Sequence, residues 1–179
     1  DATHIYVWDG VDRQRDSWNQ DHDLRSAIAN SVVWYYQKLA SEVGEARMKE
    51  WMEKLNYGNG DISGGLTTFW LGSSLKISAN EQVAFLAQLY KNALPFSPRS
   101  MDIVRDILIL AKTVQYIFRG KTGSGVEPDV QSWGWFVGYV EREGNAFVFA
   151  VNIKAKEGAN GQKAREIAEN ILRNLSLIQ

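Results

Sequence analysis

A lysine, a threonine and a glycine stand together at Lys121-Thr122-Gly123, where a predicted strand ends. A lysine ammonium stabilises negative charge or lowers the pKa of a neighbouring group. A threonine hydroxyl can bond a substrate carboxylate, and a glycine leaves room for a substrate to lie against the strand. The tripeptide therefore indicates a substrate-binding strand; the alternative is a solvated strand end.

A second group with chemical potential is Ser31-Val32-Val33, inside a predicted helical region. A serine hydroxyl both donates and accepts hydrogen bonds, so Ser31 is a candidate proton relay, with Val33 as an apolar wall. The alternative is structural, because a serine inside a helix usually bonds its own backbone.

Two further segments carry weaker signals. Tyr57-Gly58-Asn59 is typical of a turn, since glycine and asparagine accept positive φ. Phe69-Trp70-Leu71 favours core packing, but the indole N–H of Trp70 needs a hydrogen-bond partner if it is buried.

The elements that position these residues differ between the two halves of the chain. Residues 1–111 are predicted to be a mainly helical lobe. A helix-compatible stretch runs from Leu24 to Val43 with a break near Ser31. Another helix ends at Asn56, a capping box at Ser78 and Glu81 starts the next, and Ser97-Pro98 begins a further helix that carries Met101, Val104 and Leu108.

Residues 112–179 are predicted to be an antiparallel sheet and a closing C-terminal helix. Strands are expected at 116–119, 135–141 and 146–153, with a hairpin connection at 142–145. The pattern indicates one α+β domain. Three strands and one helix leave one sheet edge without a neighbour, so we expect that N-terminal strands of the fold are missing from this chain.

Composition excludes several classes of function. The 179 residues carry a net charge of −1, which gives no reason to expect a nucleic-acid partner. There is no cysteine, and charged residues interrupt every apolar run before it could span a membrane. The two histidines, His4 and His22, are predicted at the surface and are too few for a histidine-rich metal site, so no metal is expected.

Taken together and in order, the motifs resemble the class D, or oxacillinase-type, serine β-lactamases and the closely similar sensor domains of membrane β-lactam receptors. The resemblance is carried by Ser31-x-Val33, Tyr57-Gly58-Asn59, Phe69-Trp70-Leu71, Lys121-Thr122-Gly123 and the flanks Trp8-Asp9-Gly10, 18–24, 74–78 and 134–138. It covers essentially the whole chain and implies a penicillin-binding/β-lactamase-like fold.

The resemblance also implies a role for each site residue. Family members open the β-lactam ring with the serine of a Ser-x-x-Lys motif, whose lysine is carboxylated by CO₂ and acts as general base. Ser31 would pass a proton to the ring nitrogen, biased by Lys121. Trp70 would hold the carbamate, with Val33 and Leu71 lining it. Thr122 and Gly123 would bind substrate, and the backbone N–H of Ser124 would form half of the oxyanion hole.

Two departures from the family pattern stand out. The nucleophilic Ser-x-x-Lys motif is expected upstream of this chain, on a companion N-terminal segment, so the carbamate would be on a lysine outside the chain and the fragment alone is expected to be inactive. Ser73-Ser74-Leu75-Lys76 matches the motif formally, but it lies where the family places a later segment. The arginine that often grips the substrate carboxylate is replaced by Ala164, so this role falls to Thr122 or to a shifted neighbour.

Three functions are compatible with these motifs. The first is an enzyme that hydrolyses β-lactam antibiotics, periplasmic or secreted. The second is the extracellular sensor domain of a membrane receptor, which is acylated but does not turn over. The third is a catalytically dead relative or a processed fragment.

Overall fold

The computed structural model describes residues 2–13, 15–127 and 131–179. Its elements, in chain order, are a 3-10 turn at Asp16–Trp18, α1 Leu24–Ala29, α2 Val33–Val43, α3 Glu45–Leu55, α4 Ala79–Tyr90, α5 Pro98–Ile107, β1 Ile109–Lys112, β2 Tyr116–Glu127, β3 Gln131–Arg142, β4 Asn145–Ala155 and α6 Gly161–Asn174. The α+β architecture, with a helical lobe, an antiparallel sheet and a closing helix, confirms the fold class expected from the sequence.

The helix boundaries follow the local sequence signals. The predicted break near Ser31 separates α1 from α2. The Ser78 side chain accepts from the Glu81 N–H, and the Glu81 carboxylate accepts from the Ser78 N–H, which completes the predicted capping box of α4. Ser97 caps α5, with Pro98 as its first residue.

The sheet is antiparallel throughout, in the order β1-β2-β3-β4. The predicted hairpin between β3 and β4 turns at Glu143 and Gly144, whose φ values are +53° and +77°. Positive φ at both central residues gives the turn the twist of the flanking strands. The sequence predicts three strands, and the fourth strand of the structure is β1, directly after α5.

Each face of the sheet is covered by a different layer. On one face, α6 packs on the aromatic residues of β2 and β3, with Phe118, Phe136 and Ala164 almost fully buried. On the other face, α4 and α5 contribute Leu86, Leu89 and Met101 to a second core. The outer edge of β4 has no paired strand among the described residues.

One prediction about the helical lobe is wrong. His22 was expected at the surface, but only 1% of it is exposed. Its Nδ1 lies 3.0 Å from Ser26 Oγ and its Nε2 lies 3.0 Å from the carbonyl oxygen of Ser17. A buried imidazole is tolerated here because both ring nitrogens have hydrogen-bond partners.

Candidate active site

The end of α1 determines the position of Ser31. The Val32 N–H donates to the Ala27 carbonyl, and the Ser31 N–H donates to the Ile28 carbonyl. These two bonds form a Schellman motif, which requires a left-handed residue at the position that Ser31 occupies, and its φ is +53°. Glycine is the usual residue there, and any other residue adds strain. The backbone thus turns the Ser31 hydroxyl away from the helix axis and towards β2.

Lys121 meets Ser31 across the gap between the helical lobe and the sheet. Its Nζ donates to Ser31 Oγ over 2.5 Å. It also donates to the Thr122 carbonyl oxygen at 3.0 Å, with Thr122 Oγ1 at 3.4 Å. No carboxylate of the described residues forms an ion pair with Lys121. The ammonium therefore supplies positive charge that remains available to an anionic substrate.

The environment of Lys121 also favours proton exchange. Burial lowers the pKa of its ammonium from the ordinary value, because desolvation penalises the charged form. A lysine with a lowered pKa beside a hydroxyl at hydrogen-bond distance can accept and return a proton more readily than an exposed lysine can. Ser31 and Lys121 thus form a pair suited to proton transfer.

All eight site residues that the sequence predicts line one cleft of about 980 Å³ between the two lobes. They are Ser31, Val33, Trp70, Leu71, Lys121, Thr122, Gly123 and Ser124. The cleft wall opposite the sheet is apolar and includes Ile28, Leu39 and Met48. The site thus combines a polar strand edge with an apolar wall.

Trp70 reaches the cleft from a loop that is held by its own backbone bonds. The Phe69 N–H donates to the Gly65 carbonyl, and Phe69 is buried with its ring edge-on to Trp70 at 4.9 Å. The indole N–H of Trp70 has no acceptor among the described residues. A hydrogen-bond donor is therefore free to serve a ligand in the cleft.

Tyr57-Gly58-Asn59 fixes the continuation of this loop rather than contributing to the cleft itself. The Asn59 amide donates to the Ser74 carbonyl and accepts from the Lys76 N–H, both at 2.9 Å. A Cβ on Gly58 would lie 2.1 Å from the Lys76 carbonyl oxygen, so only glycine permits this approach. The motif is a structural clamp, as its turn-like composition predicts.

The Ser73–Lys76 segment does not have the geometry of a nucleophile and its base. It lies outside any helix, so the three-residue spacing does not place the serine and the lysine on one face. This arrangement agrees with the interpretation of the motif as a chance match.

The outer edge of β2 presents backbone donors to the cleft. The Gly120 N–H donates to the Leu108 carbonyl, on the β1 side of the strand. Because peptide groups alternate in direction along a strand, the Ser124 N–H points to the same side. β1 pairs with β2 only at 117–119, so it does not reach Ser124. Ser124 Oγ accepts from the Gly161 N–H at 2.8 Å, which ties the strand to the first turn of α6.

The sequence analysis missed several residues that line the cleft. They are Arg15, Trp18, Tyr36, Trp133, Asn160 and Gln162 among others. The Tyr36 hydroxyl is buried without a hydrogen-bond partner among the described residues, and burial raises its pKa. A tyrosine on α2, one turn after Val33, was the available signal.

The position expected to carry a carboxylate-binding arginine does not reach the cleft. Ala164 is fully buried between α6 and the sheet. Of its neighbours, Lys163 pairs with Glu166 and Arg165 pairs with Glu169. The residues of this region that line the cleft are instead Asn160, the N-cap of α6, and Gln162, on the first turn of the helix.

The described residues hold no further candidate for a metal site or a membrane span. They contain no group of three or more histidine, aspartate or glutamate side chains arranged to hold a metal ion. Within the same residues, no helix is long and apolar enough to cross a bilayer.

Comparison with known proteins places these features in a family context. The family model described as penicillin binding protein transpeptidase domain matches residues 1–173. The probable beta-lactamase YbxI of Bacillus subtilis is 46% identical over 178 residues, which are 99% of this chain and 64% of the relative. The chain therefore spans less than two thirds of that relative's length.

Solved structures agree with the sequence relatives. A class D beta-lactamase from Bacillus subtilis superimposes with a TM-score of 0.92 at 44% identity, covering 100% of this chain and 73% of that one. The C-terminal domain of the Bacillus licheniformis BlaR penicillin-receptor superimposes with a TM-score of 0.93 at 38% identity, covering 98% and 71%. An enzyme and a receptor domain thus resemble this chain equally well in fold.

Proposed function

Because the chain belongs to the penicillin binding protein transpeptidase domain family, we propose that the protein carrying it hydrolyses β-lactams through a serine acyl-enzyme. The observation that carries this proposal is the Lys121–Ser31 hydrogen bond at the centre of the cleft. A hydroxyl held against a half-buried ammonium that has no carboxylate partner among the described residues is suited to move a proton and to attract an anion.

We assign the proton transfer during ring opening to Ser31. When the lactam carbonyl is attacked, an ester bond forms, the C–N bond breaks and the nitrogen gains a proton. Ser31 Oγ donates that proton, and Lys121 lowers the cost of the transient charge on the hydroxyl oxygen. The Ser124 N–H, directed to the open edge of β2, stabilises the developing oxyanion.

Recognition of the substrate carboxylate falls to Thr122, with Gln162 beside it. Thr122 Oγ1 lies on the same strand edge as the Lys121 ammonium, and Gln162 projects from the first turn of α6. The N-terminal end of a helix adds partial positive charge at this point. Thr122 and Gln162 together offer the substrate carboxylate hydrogen bonds that the methyl group of Ala164 cannot offer.

The acylated serine and its carboxylated lysine are proposed to precede Asp1 in the whole protein. A lysine carbamate supplies a general base, which takes the proton of the serine and later that of a water molecule. Trp70 would hold it, since its indole N–H is free within the described part of the chain. Val33 and Leu71 would surround it with apolar groups, which disfavour the uncarboxylated ammonium.

The partners follow from this activity. The ligands are β-lactam antibiotics, no nucleic acid is involved, and a companion N-terminal segment completes the site. We propose a periplasmic or secreted location, where such antibiotics are encountered.

A sensor domain is the second candidate. It is favoured by the TM-score of 0.93 with the BlaR penicillin-receptor domain. A sensor and an enzyme share the acylation step and differ in the lifetime of the acyl ester. The motifs of this chain serve both functions.

Acylation and deacylation of the whole protein distinguish the two candidates. The protein is mixed with a fluorescent penicillin, and the covalent adduct is followed over time by denaturing electrophoresis. An enzyme gives an adduct that decays while the penicillin is consumed in many turnovers. A stable, stoichiometric adduct would identify a sensor, and the absence of both an adduct and penicillin consumption would contradict both.

A further inference from the structure

Lys121 is set apart from the other lysines of the chain by its burial. It is half-buried, whereas every other lysine is exposed. The exposed ones are Lys38, Lys49, Lys54, Lys76, Lys91, Lys112, Lys154, Lys156 and Lys163. The acceptors for the Lys121 ammonium are neutral oxygens of Ser31 and Thr122, and no carboxylate of the described residues pairs with it. Lys121 thus differs from a lysine that is held in a surface ion pair.

Open space adjoins the side chain of Lys121. It lines the cleft of about 980 Å³ and also a neighbouring cavity of about 630 Å³. The cleft wall opposite the sheet includes Ile28, Leu39 and Met48, which are apolar. A small apolar molecule can therefore lie in the cleft with one end beside the Lys121 nitrogen.

The protonation state of Lys121 favours reaction with such a molecule. A lysine of ordinary pKa, about 10.4, is almost entirely protonated at neutral pH and has no free electron pair on its nitrogen. Burial lowers the pKa of Lys121, because desolvation penalises the ammonium. A larger fraction of this side chain is therefore the neutral amine, which is the nucleophilic form.

We propose that Lys121 is a covalent modification site for apolar aldehydes, which enter the cleft and form a reversible imine with its Nζ. An aldehyde is the fitting class of ligand because its carbonyl carbon reacts with an amine, and its apolar body packs on the cleft wall. The proposal goes beyond the proposed function and does not depend on it, since it concerns only the amine and the space around it.

Its chemistry needs only the amine, the aldehyde and a proton relay. The nitrogen lone pair attacks the aldehyde carbon, the carbonyl π electrons pass to the oxygen, and one proton moves from nitrogen to that oxygen. Ser31 Oγ, 2.5 Å from Lys121 Nζ, is placed to accept this proton and to donate its own to the oxygen. The hydroxyl group then leaves with the second nitrogen proton as water, and the C=N bond forms.

Reductive trapping measures imine formation at each lysine. The whole protein is incubated at pH 7 with 2-naphthaldehyde and cyanoborohydride, which reduces the imine to a stable secondary amine, and adducts are located by peptide mass. We expect Lys121 to be labelled roughly tenfold faster than the exposed Lys91 and Lys112, because binding in the cleft and the available amine both favour it. At pH 10 this preference should shrink, because high pH converts exposed ammonium groups to amines as well.

A second aldehyde tests the contribution of the apolar wall. Glycolaldehyde is small and polar, so it gains little from the wall of the cleft. It should label Lys121 with a smaller preference over Lys91 and Lys112 than 2-naphthaldehyde shows.

Two serine variants test the proton relay. Ser31→Ala should slow the labelling of Lys121 by roughly tenfold or more, because the relay is lost. Ser41→Ala removes an exposed hydroxyl on α2 and should leave the labelling rate unchanged. Circular dichroism checks that both variants are folded.

Labelling spread evenly over the exposed lysines, or a Lys121 that stays unmodified at pH 7, would overturn the proposal. Equal preference with the two aldehydes would overturn the assignment to apolar aldehydes, and unchanged labelling in Ser31→Ala would remove Ser31 from the reaction. These outcomes are independent of the fluorescent penicillin experiment, which tests the proposed function.

Discussion

Ser31 meets two separate demands at a single position. Its backbone takes the left-handed conformation that ends α1, and its hydroxyl accepts a hydrogen bond from Lys121. Ser176 has the same left-handed conformation after α6, with φ of +56°. The conformation alone therefore does not mark a functional residue, and the hydroxyl contact with Lys121 is the distinguishing feature.

Substitutions at Ser31 separate the requirement for a left-handed backbone from the requirement for a hydroxyl group. Ser31→Ala and Ser31→Gly both remove the hydroxyl, and we expect each to slow acylation of the whole protein by roughly 10²-fold, the usual size of a general acid–base contribution. Glycine accepts positive φ without strain, so Ser31→Gly should be more stable than Ser31→Ala by about 1 kcal/mol. Stopped-flow acylation and denaturant unfolding measure the two effects.

A matched control is available on α2. Ser41→Ala removes an exposed hydroxyl that donates to the Gln37 carbonyl within the helix. It should leave acylation unchanged. If Ser31→Ala acylates as fast as the parent protein, Ser31 has no part in the proton transfer.

Substitutions at Trp70 test the proposed lysine carbamate. Trp70→Phe keeps an aromatic ring on the loop and removes only the indole donor, and Trp70→Ala removes both. We expect both substitutions to reduce the deacylation rate, relative to the parent protein, more than they reduce the acylation rate, because the base would lose its hydrogen bond. Added bicarbonate should restore part of the deacylation rate by mass action.

The acylation and deacylation rates of the Trp70 variants are measured by single-turnover kinetics with and without bicarbonate. Turnover at the parent rate in Trp70→Ala without bicarbonate would remove Trp70 from the mechanism.

At the residue scale, the sequence could predict the cleft because its motifs carry chemistry in a recognisable order. It could not predict Tyr36 or Trp133, since an aromatic residue on a helix or strand is usually a packing residue. It also could not show that Ala164 is turned away from the cleft. That depends on the rotation of α6 against the sheet, which follows from tertiary packing.

At the scale of elements, the close approach of α6 to β2 shapes the substrate edge. A Cβ on Gly161 would lie 2.7 Å from the Gly123 carbonyl oxygen and 2.8 Å from Thr122 Cβ. The first turn of α6 therefore rests directly on the strand that we propose binds substrate. Any side chain at residue 161 must push the helix and the strand apart.

Two glycine-to-alanine variants test this contact against the substrate surface. Gly161→Ala should lower the free energy of unfolding by about 1–3 kcal/mol, as overpacking does, and impair acylation through the displaced strand. A Cβ on Gly123 meets only Trp135 Cβ, at the ordinary distance of 3.6 Å. Gly123→Ala should therefore unfold like the parent protein and still slow acylation, because the methyl group occupies space intended for substrate.

Denaturant unfolding and acylation kinetics are measured on both variants. A Gly123→Ala protein that is acylated at the parent rate would show that the substrate does not lie against this residue. A Gly161→Ala protein of parent stability would contradict the tight packing of α6.

The elements themselves were predictable to different degrees. Caps and turns, such as the capping box of α4 and the Glu143-Gly144 hairpin, are local and were predicted from the sequence. β1 was missed because the apolar run at 107–110 continues the pattern of α5 and periodicity does not separate a short strand from the end of a helix. β1 is distinguished from the end of the helix by its hydrogen-bonded pairing with β2, which is a tertiary contact.

At the scale of the whole molecule, the cleft lies between two lobes that are held together by long-range contacts. Lys121 bonds Ser31 across 90 residues of sequence and so joins the sheet to the helical lobe. Within the helical lobe, Arg25 of α1 pairs with Asp106 of α5 across 81 residues. The sequence could predict each lobe from its periodicity. The closure of one lobe on the other requires tertiary contacts, which no local pattern contains.

The outer edge of β4 is a second feature that matters at the scale of the whole molecule. Eleven residues, Asn145–Ala155, form this strand, and its outer side has no partner among the described residues. Unpaired edges invite association with another strand. We expected such an edge from the sequence and propose that the companion N-terminal segment pairs with it.

We propose that this chain supplies the proton relay and the substrate-binding strand of an acyl-serine site, while the nucleophile comes from elsewhere in the whole protein. The most direct test is to incubate the 179-residue chain and the whole protein separately with a fluorescent penicillin and to locate any adduct by peptide mass. We predict no adduct on the chain alone and a stoichiometric adduct, on the serine of an upstream Ser-x-x-Lys motif, in the whole protein. A stoichiometric adduct on any serine of this chain, Ser73 included, would contradict it.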